Sequence, residues 1–299
     1  MCLQSGGPLG VVLIGSSTHF MKSAHDIKIH PLPNLMTAGN LFCGFMAVLL
    51  IFKGRQAGGM AELGAAKGPY MDAIKFIFGA CFFDLLDGRV ARISGQESDF
   101  GREFDSIADV VSFGLAPALL LMEIVLFEFG DALGQMLAFV YLLAGAMRLA
   151  RFNCVAAIGG KAMRDFYGVP IPVAAGVISS ITMAMLYLGA DHREVLSKIK
   201  FALPVLMLAL SFLMFSNLRY PSFKDLNWKT KRSIPFVLVA IVVVAFTVRY
   251  YEWMPAVIFT SYLVYGIARP WVSRKWRHQI EEAVEGEDDG EGPAGPIEH

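Results

Sequence analysis

Eight stretches of this 299-residue chain are apolar enough to sit in hydrocarbon, and their repetition restricts the fold more than any other feature. They run over 35–52, 70–86, 104–127, 134–150, 169–188, 201–216, 234–248 and 253–267. About 20 apolar residues in a helix cross a bilayer, because a helix satisfies every backbone N–H and C=O within the segment. A chain that is 55% hydrophobic and keeps returning to such runs is read as an all-α polytopic membrane protein. The last two stretches are short. They read as two further C-terminal helices, crossing or forming a shallow hairpin, added to a core of six.

Lys and Arg collect in alternate connections. One set holds Arg89, Arg92 and Arg102, then Arg148, Arg151, Lys161 and Arg164, then Arg219, Lys224, Lys229, Lys231 and Arg232, then Arg269, Arg274, Lys275 and Arg277. The other set is sparser: Lys53, Arg55, Lys67, Arg193, Lys198, Lys200 and Arg249. Basic connections stay inside, so both termini and the 84–109 connection are expected on the cytoplasmic side of a plasma membrane. The formal charge balances at 26 bases and 26 acids, but residues 281–299 carry eight of the acids and no Lys or Arg. The remaining body is basic, which suits anionic lipid and not a nucleic-acid partner. The acidic tail, with its Gly and Pro, is expected to be disordered.

Cys2, Cys43, Cys81 and Cys154 show no paired spacing, and the two in apolar runs read as small buried thiols. The stretch "PLGVVLIG" at 8–15 is too short for a span and follows no basic segment, so it is not read as a signal peptide. Translation from Met21 is an alternative start. Residues 22–30, "KSAHDIKIH", fit a surface-lying segment and a plain polar leader equally well.

One polar stretch stands between apolar runs at 84–109, "DLLDGRVARISGQESDFGREFDSIAD". Charge at the edge of hydrocarbon is expensive and calls for a partner or a task. If the second span continues as a helix, Asp84, Asp87, Gly88 and Ala91 share one face at i, i+3, i+4 and i+7. Ser94–Gly95 breaks that helix, and a third starts near Gly101, where Gly101, Asp105 and Asp109 fall at i, i+4 and i+8. Two antiparallel neighbours then bring four carboxylates together, which requires a cation. Oxygen-only donors select a hard ion, Mg²⁺ or Mn²⁺ before Zn²⁺, and such ions accompany phosphates. Gly88, Ala91 and Gly101 clear bulk from the same faces, and Arg92 offers a charge to a phosphate oxygen. The plainer alternative is an ion-pair cluster with Arg89, Arg92 and Arg102. It needs less order than four acids and several small residues on one stripe display.

The residues Asp84-x-x-Asp87-Gly88-x-x-Ala91-Arg92, eight intervening residues, then Gly101-x-x-x-Asp105-x-x-x-Asp109 are similar at every fixed position to the signature of the CDP-alcohol phosphotransferases. That resemblance implies a six-helix membrane core with a cytoplasmic metal site. It implies transfer of a substituted phosphoryl group from a CDP-linked donor to an alcohol, with release of CMP. It also implies two divalent ions, held by Asp84, Asp87, Asp105 and Asp109. Asp84 and Asp105 would bridge them, and Asp109 would also take the proton of the attacking hydroxyl. Gly88, Arg92 and Ser98 fall where the family holds cytidine diphosphate, although a loop Ser is more often only solvated.

Four other stretches bear on the acceptor alcohol. The first span opens "PNLMTAGNLFCGF", where Asn34, Thr37 and Gly44 share a helix face. An N-capping Asn and a small-residue packing stripe explain them as well as a ligand does. By resemblance, Asn34 and Thr37 meet the nucleotide end of the CDP-lipid donor. Arg148 and Arg151 in "RLARFN" lie one turn apart and can face one anion, or can simply anchor the inner face. With "DFYGVPIPVAAG" at 165–176 and "SNLRYPSFK" at 216–224, these stretches resemble the integral-membrane phosphatidylserine synthases, the serine-accepting branch of the family. The resemblance spans 33–224 and implies CDP-diacylglycerol and L-serine as substrates, with Arg148 and Arg151 toward the serine carboxylate. Glycerol 3-phosphate or inositol phosphate is the rival acceptor. A transporter or a membrane scaffold is the rival class.

The organisation that follows is a juxtamembrane segment at 1–32, a CDP-alcohol phosphotransferase core at 33–224, an added hairpin at 225–270 and a tail at 271–299. Both faces of the third and fourth spans are apolar enough to allow a homodimer.

Overall fold

The structure is a computed structural model and describes residues 31–59, 63–94, 98–157, 166–188, 193–216, 219–220, 246–247 and 249–268. The N-terminal segment, the acidic tail and all but the end of the apolar stretch at 234–248 lie outside the described residues. Every other expected stretch falls on a helix, and the described residues are all-helical apart from one two-residue strand pair.

Helix α1 (Pro31–Gln56) opens on prolines, whose fixed φ suits a first helical turn and whose missing N–H is not needed there. It stops at Gly58 and Gly59, with φ of 99° and 55°, conformations that L side chains rarely adopt. Their N–H groups return to the Arg55 and Gly54 carbonyls at 3.1 Å each, which closes the helix end. Helix α2 (Leu63–Ser94) then runs back along α1.

Helix α3 (Asp99–Asp109) begins slightly before Gly101. Ser98 is its N-cap, with extended backbone and a side-chain oxygen that accepts the Gly101 N–H at 3.0 Å. The helix then passes through a π turn (Val110–Leu115) into α4 (Ala116–Ile124). Pro117 has no N–H to give the Phe113 carbonyl one helical turn earlier. That carbonyl accepts instead from the buried Tyr141 hydroxyl at 3.1 Å, which ties this span to α5 (Asp131–Ala157). Small size also matters opposite the π turn. The Asn40 carbonyl, which bonds the Gly44 N–H in a regular helix, also accepts from Ser112 Oγ at 3.0 Å. A Cβ on Gly44 would run into Ser112.

Helices α6 (Ile171–Leu188), α7 (Arg193–Phe215) and α8 (Met254–Ala268) are the remaining helices among the described residues. Strand β1 (Phe166–Tyr167) pairs antiparallel with β2 (Arg219–Tyr220), clipping the approach to α6 onto the exit from α7. The buried core runs through Tyr70, Ile74, Ile77, Phe113, Leu121, Tyr141, Ile171 and Met207. At the end away from the acidic stretch, Arg55 meets Glu123 at 2.6 Å and Lys200 meets Glu128.

Among the described residues, four helices are long and apolar enough to cross a membrane: Leu32–Gln56, Asp99–Ile124, Asp131–Val155 and Ile171–Leu188. Lys200–Phe215 and Met254–Ala268 are shorter apolar helices. The 32-residue α2 is not among the four, because Asp72, Lys75, Asp84 and Asp87 interrupt its apolar run. Large apolar side chains face outward along α1 (Leu35, Phe42, Phe45, Leu49), α5 (Met136, Phe139, Leu143, Met147) and α7 (Phe201, Val205, Leu208, Phe212). Continuous exposed stripes of this kind belong against lipid, not water.

Replacing Tyr141 with Phe keeps the ring and removes only the donor to the Phe113 carbonyl. We expect a loss of about 1–3 kcal/mol, the penalty for stranding a buried acceptor. It should appear as a lower unfolding midpoint of the detergent-solubilised protein. An unchanged midpoint would show that this hydroxyl does not hold the π turn to α5.

Candidate active site

The acids approach from two helices. One carboxylate oxygen each from Asp84 on α2 and from Asp105 and Asp109 on α3 lie within 4.8 Å of one another. Asp105 and Asp109 are one turn apart, so a single face of α3 presents both, as their spacing predicts. Asp109 is the last residue of α3 before the π turn and is only 6% exposed. Asp87, also 6% exposed, is not one of these three. Its Oδ2 accepts from Thr37 Oγ1 at 3.1 Å, and that hydroxyl also lies 3.3 Å from the Pro33 carbonyl.

Helix α1 therefore forms a polar rail beside the acids. Asn34, Thr37 and Asn40 recur every three residues in a helix that is otherwise apolar up to Phe52. Asn40 is 0% exposed, and its Nδ2 donates to Asp109 Oδ1 at 3.0 Å. Sequence reasoning assigned no role to Asn40, although the three-residue polar repeat was a usable signal. Asn34 lies beside Gly101, where a Cβ would come within 3.4 Å of Asn34 Oδ1. Among the described residues, Asn34 Nδ2 is buried with no hydrogen-bond partner.

Helix α5 closes the other side. Asn153 Nδ2 donates to Ser106 Oγ at 2.9 Å and to Glu103 Oε2 at 3.1 Å, while Ser106 Oγ donates to the Arg102 carbonyl at 3.0 Å. This fastening brings Arg148, only 9% exposed, to where it feels the charges of Asp109 and Asp84. Arg151, one turn on, is exposed, so the two guanidiniums do not share one environment. Of the other expected residues, Gly88 is exposed near the end of α2, and Ser98 caps α3. The side chain of Arg92 lies outside the described residues.

Three carboxylates this close repel one another strongly away from bulk water. The donor set is all oxygen. Ligands about 2.1 Å from a Mg²⁺ ion lie at most about 4.2 Å apart, so oxygens within 4.8 Å need little movement to share one. The residues present therefore fit a hard divalent cation. Asp84, Asp105 and Asp109 would hold it, with Arg148 providing the nearby fixed positive charge.

The sequence pattern of the CDP-alcohol phosphatidyltransferase family matches residues 30–218. A CDP-diacylglycerol–serine O-phosphatidyltransferase of Helicobacter pylori strain J99 is 36% identical over 249 residues, covering 82% of this chain and 94% of its own length. An enzyme of the same name from Bacillus subtilis strain 168 is 31% identical over 194 residues, covering 64% of this chain and 91% of its own. The archaetidylserine synthase of Methanothermobacter thermautotrophicus is 36% identical over 194 residues, covering 64% of this chain and 69% of its own.

The convergence of the three acids can be measured directly. Electron paramagnetic resonance of free Mn²⁺ should show saturable binding to the purified protein. Asp105→Asn should weaken that binding by about tenfold or more, the scale at which even outer-shell partners act. Asp72→Asn removes an exposed acid paired with Lys75 and should leave it unaltered. Equal effects of the two substitutions would mean that the trio is not a metal site.

Proposed function

The chain belongs to the CDP-alcohol phosphatidyltransferase family, and from that premise we propose that it transfers the phosphatidyl group of CDP-diacylglycerol to L-serine, giving phosphatidylserine and CMP. The observation that carries the chemistry is the meeting of Asp84, Asp105 and Asp109 at the position of the family's acidic signature. The serine acceptor rests on the names of the relatives.

Asp109 is the base in this reading. It takes the proton of the serine hydroxyl, whose oxygen then bonds to the phosphorus bearing the diacylglycerol. That phosphorus gives up its bridging oxygen to the departing CMP. A serine hydroxyl is a poor nucleophile near neutral pH, so a positioned carboxylate is needed to remove its proton. Two divalent ions, Mg²⁺ or Mn²⁺, held by Asp84, Asp87, Asp105 and Asp109, would neutralise the pyrophosphate and stabilise the leaving group. Asn34, Thr37, Gly88, Arg92 and Ser98 hold the cytidine diphosphate. The Ser98 hydroxyl can still donate a proton while its oxygen caps α3. Arg148, with Arg151 one turn on, receives the serine carboxylate. Its burial supports this role, because few other groups could offset a charge held away from water there.

The finer topology belongs to the same proposal. A six-helix core at 33–224 is followed by two more spans, making eight, with the acidic site and both termini on the cytoplasmic side of a plasma membrane. Concentration of Lys and Arg in the inner connections supports that orientation. The outer apolar face of α5 is available to lipid or to a second copy in a homodimer.

Purified protein should release CMP from CDP-diacylglycerol with L-serine, and not with glycerol 3-phosphate or inositol phosphate. Chelation of divalent ions should stop the release. Asp109→Asn should lower turnover by about 10²–10⁴, the usual contribution of a positioned acid–base group, while CDP-diacylglycerol still binds. Near-normal turnover in that variant would remove Asp109 from its role.

A further inference from the structure

Asn40 holds the Asp109 carboxylate but uses only one end of its amide. The carboxylate can only accept, so the amide nitrogen must face it and the orientation of the side chain is fixed by chemistry. The other end, Oδ1, is buried and has no hydrogen-bond partner among the described residues. A buried acceptor without a donor is unfavourable, and such atoms are rare unless something else supplies the donor. The two ends of one planar amide lie side by side, so this acceptor lies close to Asp109. Arg148 Nε is also buried with no hydrogen-bond partner among the described residues, and its guanidinium feels the Asp109 charge. Beside Asp109 there is thus one unused cationic donor and one unused neutral acceptor. An α-amino acid presents the complementary pair: a carboxylate that accepts and an ammonium that donates.

The position of Asn40 is also fixed from behind. Its carbonyl accepts from Ser112 Oγ at 3.0 Å, and the missing side chain of Gly44 leaves space for that contact. Asn40 is consequently anchored to the π turn that follows Asp109, so amide and carboxylate are held by the same short segment.

We propose that Asn40 completes the acceptor pocket, its amide NH₂ aiming Asp109 at the attacking hydroxyl and its amide oxygen accepting an N–H from the ammonium of an amino-acid acceptor. This rests on the serine-transferase reading and adds a residue that selects for the amino group. A plain alcohol acceptor would leave the oxygen unsatisfied. Sites built to hydrogen-bond a group discriminate strongly against analogues that lack it.

The test compares L-serine with 3-hydroxypropanoate, which keeps the hydroxyl and carboxylate and lacks the ammonium. The full chain in lipid nanodiscs is assayed for CMP release, and serine binding is followed by calorimetry. Asn40→Leu, similar in size, should lower the wild-type preference for serine over 3-hydroxypropanoate by about tenfold or more and weaken serine binding in parallel. Asn40→Asp retains an acceptor oxygen but sets a like charge against Asp109. It should keep the preference while lowering kcat by about tenfold or more. Both acceptors are assayed at saturating Mn²⁺, so any weakening of the cation cluster through Asp109 lowers both rates alike and the preference reports the ammonium contact alone.

Equal losses on both acceptors in Asn40→Leu would mark a structural residue and overturn the ammonium contact. Should that variant fail to fold, loss of the serine preference in Asn40→Asp overturns it as well. A wild type that releases CMP with no amino-acid acceptor sinks the functional reading, and the ammonium contact falls with it. A wild type active on serine, with Asn40→Leu unchanged, sinks this inference alone.

Discussion

Three aspartates crowd one end of a bundle whose outer faces are made for lipid. Their mutual repulsion is the constraint around which the other polar features of the chain are arranged. A charge at the border of hydrocarbon has little water to screen it, and a second and third of the same sign raise the free energy further. Such a cluster is tolerable when it has a strong counter-charge, and Arg148 is the one buried protein cation beside it among the described residues. The remaining deficit is a demand for cations. That demand allows the chain to bind a donor carrying a pyrophosphate, which is itself anionic and would otherwise be repelled.

The scaffold meets this constraint with neutral donors from α1. Thr37 supports Asp87 and Asn40 supports Asp109, so the acids are fixed by hydrogen bonds that leave their charge in place. Those donors reach the acids because α1 lies close against the span that carries Asp105 and Asp109, and Gly44 permits the approach to Ser112. The π turn begins immediately after Asp109. A π turn widens the helix locally and changes the register of everything beyond it, and such turns are frequent at functional sites. Here the register is held by a carbonyl that lost its helical donor to Pro117 and found Tyr141. The placement of Asp109 therefore leans on packing well inside the bundle.

How legible this was in the sequence depended on the range of each interaction. Helix spacing within α2 and within α3 put the aspartates on shared faces, and the break at Ser94–Gly95 told that the two helices turn back on each other. Those are local rules, and the structure follows them. The supporting residues were harder to read. Nothing in the periodicity of α1 says that Asn40 meets Asp109, 69 residues away, or that Asn153 fastens α5 to α3 through Ser106. The difference between a buried Arg148 and an exposed Arg151 came from tertiary packing, since both read alike as inner-face cations. Ser98 falls by resemblance where the family holds the nucleotide, and its local geometry also makes it the cap of α3. A Ser with an Asp directly after it and a Gly three residues on carried that capping signal.

The most direct examination of the account is anomalous diffraction from crystals of the protein grown with Mn²⁺ and a CDP-lipid. The account predicts anomalous peaks among the carboxylates of Asp84, Asp105 and Asp109, with the pyrophosphate of the donor bound against them. Peaks elsewhere, or a donor bound away from an unmetallated trio, would contradict it.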